Sequence, residues 1–313
     1  MTFRLTTSLW LAGALLWPAL ALAAQTVDER QAVPENAEVS IKVQRGRVNI
    51  SSWDKSEIQV KGTLDELTEG LRFVVDGNQV VIEDTMPRSY TGKGDGSSLT
   101  IWLPAATNIN GEGISSDYRI SGINAWVSLQ NVSGDMLLED ITGPLRVKTI
   151  SGDITAQRIS QTMELASVSG EIQISKSDGD LALANVSGNM VINTNASAVK
   201  LETVSGEVEL AAPQLSQLKL NSVSGDVQAH VGGALTEAKL DSVSGDIQLI
   251  VSQLPNARFV INGGPGGKVV NQLSDDKPQK DKYSRQQSLI FNSGSGNGTV
   301  VINTISGTLT LAK

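Results

Sequence analysis

Seven side chains recur at one position of a repeated motif, and their types make them the first candidates for chemistry. They follow a Ser-Gly pair in each copy: Asp135, Asp153, Glu171, Asn189, Glu207, Asp226 and Asp246. Carboxylates stacked about 5 Å apart repel one another, and bound Ca²⁺ would relieve that repulsion. However, Asn189 interrupts the row, and no Gly-Gly-x-Gly-x-Asp nonapeptide occurs. We therefore interpret the row as a solvated edge of turns and predict no metal site.

Other candidate residues are few. The sequence has no Cys, which excludes thiolate chemistry, and its single His, His230, is interpreted as a surface residue. Residues 264–268 resemble a phosphate-binding loop, but Asn262 and Val269 stand where that motif requires Gly and Ser or Thr. The run Gly294-x-Gly296-x-Gly298 is interpreted as a turn. We predict no catalytic residue and no cofactor.

Two further polar features are interpreted as structural. A polar insertion at 274–287 is expected to be a solvated loop; its charged residues are Asp275, Asp276, Lys277, Lys280, Asp281, Lys282 and Arg285. Asn-x-Ser/Thr triplets are attributed to the composition of the repeat rather than to glycosylation; they begin at Asn49, Asn131, Asn185, Asn195 and Asn297.

A repeat of Val/Ile-Ser-Gly positions these residues. Its seven glycines lie at intervals of 18, 18, 18, 18, 19 and 20 residues: Gly134, Gly152, Gly170, Gly188, Gly206, Gly225 and Gly245. Each interval holds two or three short runs of alternating apolar residues, which are typical of β-strands. Because no such strand can bury an apolar face alone, we predict stacked coils in an all-β solenoid. β-Propeller repeats are about twice as long. The spacing leaves the handedness open.

The predicted coil assigns roles to the residues around each glycine. The glycine is expected at a corner with positive φ, which it adopts without strain. The aliphatic residue two positions earlier, such as Val204, is expected to point into the core. Since Glu202 has the same parity as Val204, this expectation requires the strand to bend or end near Thr203.

The N-terminus has the pattern of a secretory signal peptide. Arg4 precedes an apolar run over residues 9–22, and Ala21-Leu22-Ala23 matches the small-x-small pattern of signal peptidase sites. We predict cleavage after Ala23 and no membrane span thereafter. Residues 24–125 are predicted to form an irregular β region of short strands, and residues 126–313 a β-helix of 18–20-residue coils that includes the insertion.

The composition of the chain agrees with an all-β solenoid. Among 313 residues, aromatic residues make up only 4% while glycine numbers 30, which suits thin, regular layers. The chain carries 33 acidic and 25 basic residues, a net charge of −8. That balance argues against nucleic acid as a partner.

The chain resembles the bacterial putative-adhesin family, exported β-strand-repeat proteins of unknown function. The resemblance rests on Gly46-Arg47-Val48-Asn49-Ile50 and Trp53-Asp54, the seven turns, and Gly294-Ser295-Gly296 and Ile305-Ser306-Gly307 near the end. It covers nearly all of the chain after the predicted signal. It implies a single-stranded, right-handed β-helix with a surface or envelope role, and it defines no ligand.

Three functional hypotheses follow. The leading one is a non-enzymatic structural or adhesive envelope protein, periplasmic or at the cell surface, that binds a protein or glycan partner. The alternative is a polysaccharide-binding or polysaccharide-cleaving β-helix, and a third is an envelope-stress accessory protein. A lyase would need a base opposite clustered acids, and we expect no such gathering among Lys148, Arg158, Lys176, Lys200, Lys219 and Lys239. The oligomeric state is left open.

Overall fold

The computed structural model describes residues 25–87 and 94–313. Within these ranges the chain contains strands and turns and no helix, as the alternating apolar pattern predicts. Consequently no helix in the described residues is long and apolar enough to cross a membrane. The predicted signal peptide at 1–23 lies outside the described residues.

Seven strands precede the regular repeat. They are β1 (Thr26–Ala32), β2 (Glu38–Trp53), β3 (Glu57–Thr63), β4 (Gly70–Asp76), β5 (Gln79–Thr85), β6 (Ser97–Pro104) and β7 (Asn108–Ser121). Strand β2 lies parallel to β7 on one side and to β5 and β6 on the other. The outer pairs β1–β3, β3–β6 and β4–β5 are antiparallel. These antiparallel strands cover the end of the parallel stack, where an open edge would otherwise be a site for aggregation.

Each coil of the repeat contains two strands. The first strands of the coils are β8 (Val127–Ser133), β10 (Leu145–Ser151), β12 (Met163–Ser169), β14 (Leu181–Ser187), β16 (Ala198–Ser205), β18 (Gln217–Ser224) and β20 (Glu237–Ser244). The second strands are β9 (Met136–Ile141), β11 (Ile154–Ile159), β13 (Ile172–Ser177), β15 (Met190–Thr194), β17 (Val208–Ala212), β19 (Val227–Val231) and β21 (Ile247–Val251). Each strand pairs in parallel with its equivalent in the next coil. The stack is therefore solenoid-like, as predicted.

Aliphatic rows fill the space between the two stacks of strands. On the first strands, Leu183, Leu201 and Leu220 are paired neighbours in successive coils, and all three are buried. On the second strands, Ile172 and Met190 occupy the equivalent row. Like side chains lie over like, about 4.8 Å apart, so the coils bury a continuous core that none could form alone.

The repeat glycines form the corner between the two strands of each coil. Their φ values lie between 109° at Gly134 and 139° at Gly170 and Gly225, which confirms the prediction of positive φ. The close approach of neighbouring coils is a second reason for glycine at this corner. A Cβ built on Gly188 would lie 2.2 Å from the carbonyl oxygen of Gly170 in the preceding coil. The longer intervals of 19 and 20 residues arise at the opposite turn, in residues 213–216 and 232–236.

Four strands complete the C-terminal end: β22 (Ala257–Asn271), β23 (Gln279–Lys280), β24 (Gln287–Asn292) and β25 (Gly298–Ala312). The last strand, β25, lies in parallel between β20 and β21 on one side and β22 on the other. Strand β24 is antiparallel to β22 and ends the stack. The predicted polar loop at 274–287 contributes the short strand β23, which pairs with β24.

Candidate binding surface

Nine aliphatic side chains form an exposed row along the stack, which we call the valine ladder: Ile114, Val132, Ile150, Val168, Val186, Val204, Val223, Val243 and Ile305. Their exposed fractions run from 44% at Val132 to 58% at Ile305. Seven of them are the Val or Ile of the repeated motif, which we expected to point into the core. That expectation is wrong.

Strict strand alternation explains the outward direction. Counting along β16, Leu201 is buried, Glu202 is exposed, Thr203 is buried and Val204 is exposed. The bend that we expected near Thr203 is absent, and the strand continues to Ser205. Side chains of a regular strand alternate between its two faces. The apolar residue of the motif therefore faces solvent, and the polar residue before it faces the interior.

Several of the inward polar residues brace the glycine corner. The Nδ2 of Asn185 donates to the carbonyl oxygens of Gly170 at 3.0 Å and Gly188 at 3.2 Å. The Nδ2 of Asn131 donates to the carbonyl oxygens of Ser116 and Ser133, both at 2.7 Å. The hydroxyl of Thr304 donates to the carbonyl of Ser306 at 2.7 Å. Buried corner carbonyls need such donors. These bonds also show that Asn131 and Asn185, two of the Asn-x-Ser/Thr positions, have a structural role.

An open groove of about 680 Å³ runs beside the centre of the valine ladder. Small side chains at Ala166 and Ala184 line its middle, Lys148 lies at one end, and Glu202 lies toward the other. The four residues occupy one outward row of the first strands, since β10, β12, β14 and β16 are paired in register. The surface is thus apolar at its centre and carries opposite charges on the two sides of that centre.

The acidic row forms hydrogen bonds between coils. The backbone N–H of Asp153 donates to Oδ1 of Asp135 at 3.0 Å, and that of Glu171 donates to Oδ1 of Asp153 at 2.8 Å. Asn189 accepts from the backbone N–H of Glu207 in the same way, at 3.0 Å. An amide oxygen can replace a carboxylate as acceptor, which explains why Asn interrupts the row. Among the described residues no cluster of three acidic or histidine side chains could hold a metal ion.

Three lysines stack where we expected no gathering of basic residues. Lys200, Lys219 and Lys239 are paired neighbours on β16, β18 and β20. Lys200 forms an ion pair of 2.8 Å with Glu202, whose pKa is lowered mainly by that hydrogen bond, and Lys239 pairs with Asp241 at 3.2 Å. The expectation was wrong for these three. Each lies six residues before its repeat glycine, so aligning the copies on glycine would have revealed the row.

A buried polar cluster near the N-terminal end was not predicted. Arg45 forms an ion pair with the buried Asp65, which lowers the pKa of that carboxyl. Asp84, also buried, accepts hydrogen bonds from the backbone N–H of Gln44 at 3.1 Å and the hydroxyl of Ser97 at 2.9 Å. Burial raises the pKa of Asp84 to about 6. Asp84 lies at alternate positions with the buried Val80 and Ile82 along β5, and this pattern in the sequence could have indicated that Asp84 is buried.

The remaining candidates are dispersed over the fold. His230 is exposed on β19, with a ring nitrogen 3.0 Å from the amide of Gln228. Residues 264–268 lie within β22, beside a register shift relative to β25. In the insertion, Asp281 accepts the backbone N–H groups of Ser284 and Tyr283, which lowers its pKa. These candidates therefore do not converge on one place among the described residues.

Taken together, the fold and surface define an all-β, solenoid-like repeat protein with an apolar ladder on one face. The chain belongs to the Toastrack DUF4097 family, whose model matches residues 36–312. This membership confirms the resemblance inferred from the repeated turns. None of the curated proteins matches the chain.

Three solved structures are similar to the chain. A putative adhesin from Bacteroides fragilis is 13% identical with a TM-score of 0.41, over 93% of this chain and 98% of that one. A putative lipid binding protein from Parabacteroides distasonis is 16% identical with a TM-score of 0.46, over 72% and 94%. A putative cell adhesion protein from Clostridium sporogenes is 13% identical with a TM-score of 0.21, over 92% and 99%. These TM-scores are too low to support an argument about function.

Proposed function

We propose that the protein is an exported, non-enzymatic adhesive protein of the bacterial envelope, and that the valine ladder is its contact surface for a protein or glycan. The observation that carries the proposal is the ladder itself. The predicted signal peptide supports export, with residues 1–23 removed. We also propose that the stack is one single-stranded, right-handed β-helix, as the resemblance implies.

The exposure of the ladder has a substantial hydrophobic cost. Full burial of a Val or Ile side chain contributes about 1.5–3 kcal/mol, so nine side chains near half exposure forgo roughly 7–13 kcal/mol of burial free energy. Soluble monomers rarely expose contiguous apolar patches larger than a few hundred Å² without a binding role. Outward polar residues would have been compatible with the same coil, because the corner is held by the glycine and the inward polar residue.

The acids of the repeat support a non-enzymatic role. Asp135, Asp153 and Asp226 each accept the backbone N–H of the next coil, so their carboxylates have a structural use. A polysaccharide lyase would need carboxylates that converge on a bound cation and a base opposite them. The stacked lysines Lys200 and Lys239 instead pair with carboxylates two residues along their own strands.

Retention of coated beads would test the proposal. Beads carrying the chain from Ala24 onward are passed over surfaces coated with bacterial envelope protein or with acidic polysaccharide, and retained beads are counted. Val186→Asn with Val204→Asn should remove most of the retention, because both replace ladder methyl groups with amides. Leu137→Asn with Val191→Asn is the matched control, since these outward aliphatic residues lie on the second strands.

Two outcomes would overturn the proposal. One is retention that is equal for the ladder variant and the wild type, both folded by circular dichroism. The other is release of unsaturated sugar products from acidic polysaccharide with Ca²⁺ present, which would establish a lyase instead.

A further inference from the structure

We propose that the valine ladder binds a second copy of this chain, with the two stacks antiparallel. The inference rests on the proposed function, because it names the partner of the same surface. Three observations carry it: the period of the ladder, the distribution of charge beside it, and its area.

The period of the ladder fits another parallel stack of strands. Its side chains repeat at the coil spacing of about 4.8 Å, whereas side chains on one face of an extended peptide repeat at about 6.6 Å. A peptide lying along the ladder would therefore lose register within a few residues. A second ladder has the same spacing, so its side chains can meet those of the first at successive coils along the stack.

At the centre of the row beside the ladder, the charges are complementary when the two stacks run in opposite directions. Toward the ends of the row the same arrangement sets Glu112 opposite Asp241, and each of these carboxylates has a lysine partner in its own chain, Lys42 and Lys239. A two-fold axis between the coils of Ala166 and Ala184 sets each of these small residues against the other in the second copy. The same axis places Lys148 opposite Glu202 of the second copy, because each lies one coil beyond an alanine. Lys148 forms no ion pair among the described residues, and it is exposed. The contact between Lys148 and Glu202 therefore occurs twice in the dimer, once at each rim.

A parallel pair lacks this complementarity. When ladder packs on ladder with both stacks running the same way, each coil faces its own equivalent. The row of Lys148 then lies opposite the glycine corner at Gly152, and Lys148 no longer faces Glu202. The alanines likewise lose their small partners across the interface. Charge and side-chain size therefore select the antiparallel pair.

The area of the ladder predicts weak, reversible pairing. Eight intervals of about 4.8 Å give a length of about 38 Å, and three residues across the strands give a width of about 10 Å. Two such faces cover roughly 800 Å² in total, below the 1,200 Å² or so at which stable complexes begin and within the range of transient ones. We therefore expect a monomer at low micromolar concentration and dimers as the concentration approaches millimolar.

Sedimentation equilibrium on the chain from Ala24 onward, between about 10 μM and about 1 mM, would test the inference. The wild type should form dimers in the upper part of this range. Lys148→Glu and Glu202→Lys should each weaken association by about tenfold or more, because each sets like charges across both rim contacts. The double variant should restore association. Lys176→Glu is the control, since it makes the same change of charge at an exposed lysine on a second strand.

Each result decides between the partners. A wild type that stays monomeric near 1 mM, or a double variant as weak as the single ones, would overturn the antiparallel pair. Equal weakening by Lys176→Glu would show a general effect of charge and would also overturn it. The chain could stay monomeric while the ladder variant still loses bead retention. In that case a different protein or glycan binds the ladder, and the proposed adhesive function stands. Dimers that form without any envelope retention would refute that function alone.

Discussion

Replacing Gly188 with alanine tests how closely the coils approach at their corners. Gly188 has a φ of 137°, and a Cβ at this position would lie 2.2 Å from the carbonyl oxygen of Gly170. Ordinary contact begins near 3.4 Å, so the two corners would have to separate by about 1 Å. The N–H of Gly188 donates to Ser205 across the next coil at 3.4 Å, and this contact would be strained as well.

The size of the effect can be divided into two parts. An L-residue at such a φ costs about 1–3 kcal/mol through backbone strain alone. Displacing the corner weakens inter-coil hydrogen bonds, each of which contributes about 1 kcal/mol, so Gly188→Ala should lower the free energy of unfolding by about 3–5 kcal/mol. Gly70 is the matched control: its φ is 142°, and a Cβ there would meet no atom within 4 Å. Gly70→Ala should therefore cost only the backbone part.

Urea unfolding followed by circular dichroism would measure both variants against the wild type. We expect Gly188→Ala to lose about 2 kcal/mol more than Gly70→Ala. Equal losses would show that backbone conformation alone requires glycine at the corner, and that the close approach of the Gly170 carbonyl has no energetic weight. No loss in either variant would refute the assignment of strain at these φ values.

Three further predictions concern single side chains. Leu201→Ala should lower the free energy of unfolding by about 2–5 kcal/mol, whereas Val204→Ala should change it by about 0.5 kcal/mol or less. Similar losses for the two variants in urea titrations would show that Val204 is buried. Since the pKa of Asp84 rises to about 6 on folding, stability should increase by about 2 kcal/mol as the pH falls from 7 to 4, because the folded state then takes up a proton. Asp84→Asn should remove that increase in thermal scans, and an unchanged pH profile would contradict the assignment. Asp153→Ala should cost about 1 kcal/mol and Asp153→Asn much less, since the amide can still accept the N–H of Glu171; equal costs would exclude the hydrogen bond as the cause.

The prediction of the core was limited by how parity was assigned within a strand. We placed Val204 inside because an aliphatic residue beside a polar one is ordinarily the buried partner. That rule fails here because the strand keeps its alternation, which places Leu201 and Thr203 inside and Val204 outside. At equivalent inward positions Asn185 and Thr304 hydrogen-bond the corner carbonyls, whereas the hydroxyl of Thr203 has no hydrogen-bond partner among the described residues. The parity of Leu201 would have placed Val204 correctly, since residues three positions apart lie on opposite faces of an unbent strand.

The buried cluster of Arg45, Asp65 and Asp84 could not be predicted in the same way. Its members lie on β2, on a turn and on β5, and they meet only because β2 and β5 pair in parallel. Within one strand, Asp84 at an inward position is an anomaly without an evident partner. Strand β2 supplies the backbone N–H of Gln44, and β6, which also pairs with β2, supplies the hydroxyl of Ser97; these two donors make burial of the carboxyl tolerable.

The sequence by itself determined the all-β class, the coil length and the glycine corners, because these depend on a local pattern that repeats at a nearly constant interval. Backbone conformation at a corner and alternation along a strand are properties of a few neighbouring residues. Tertiary structure alone decided what lies side by side on the surface. Stacking placed Val186 beside Val204, Asp135 within reach of the next coil, and Lys148 three coils from Glu202. These relations depend on inter-coil register, which only the packed stack defines.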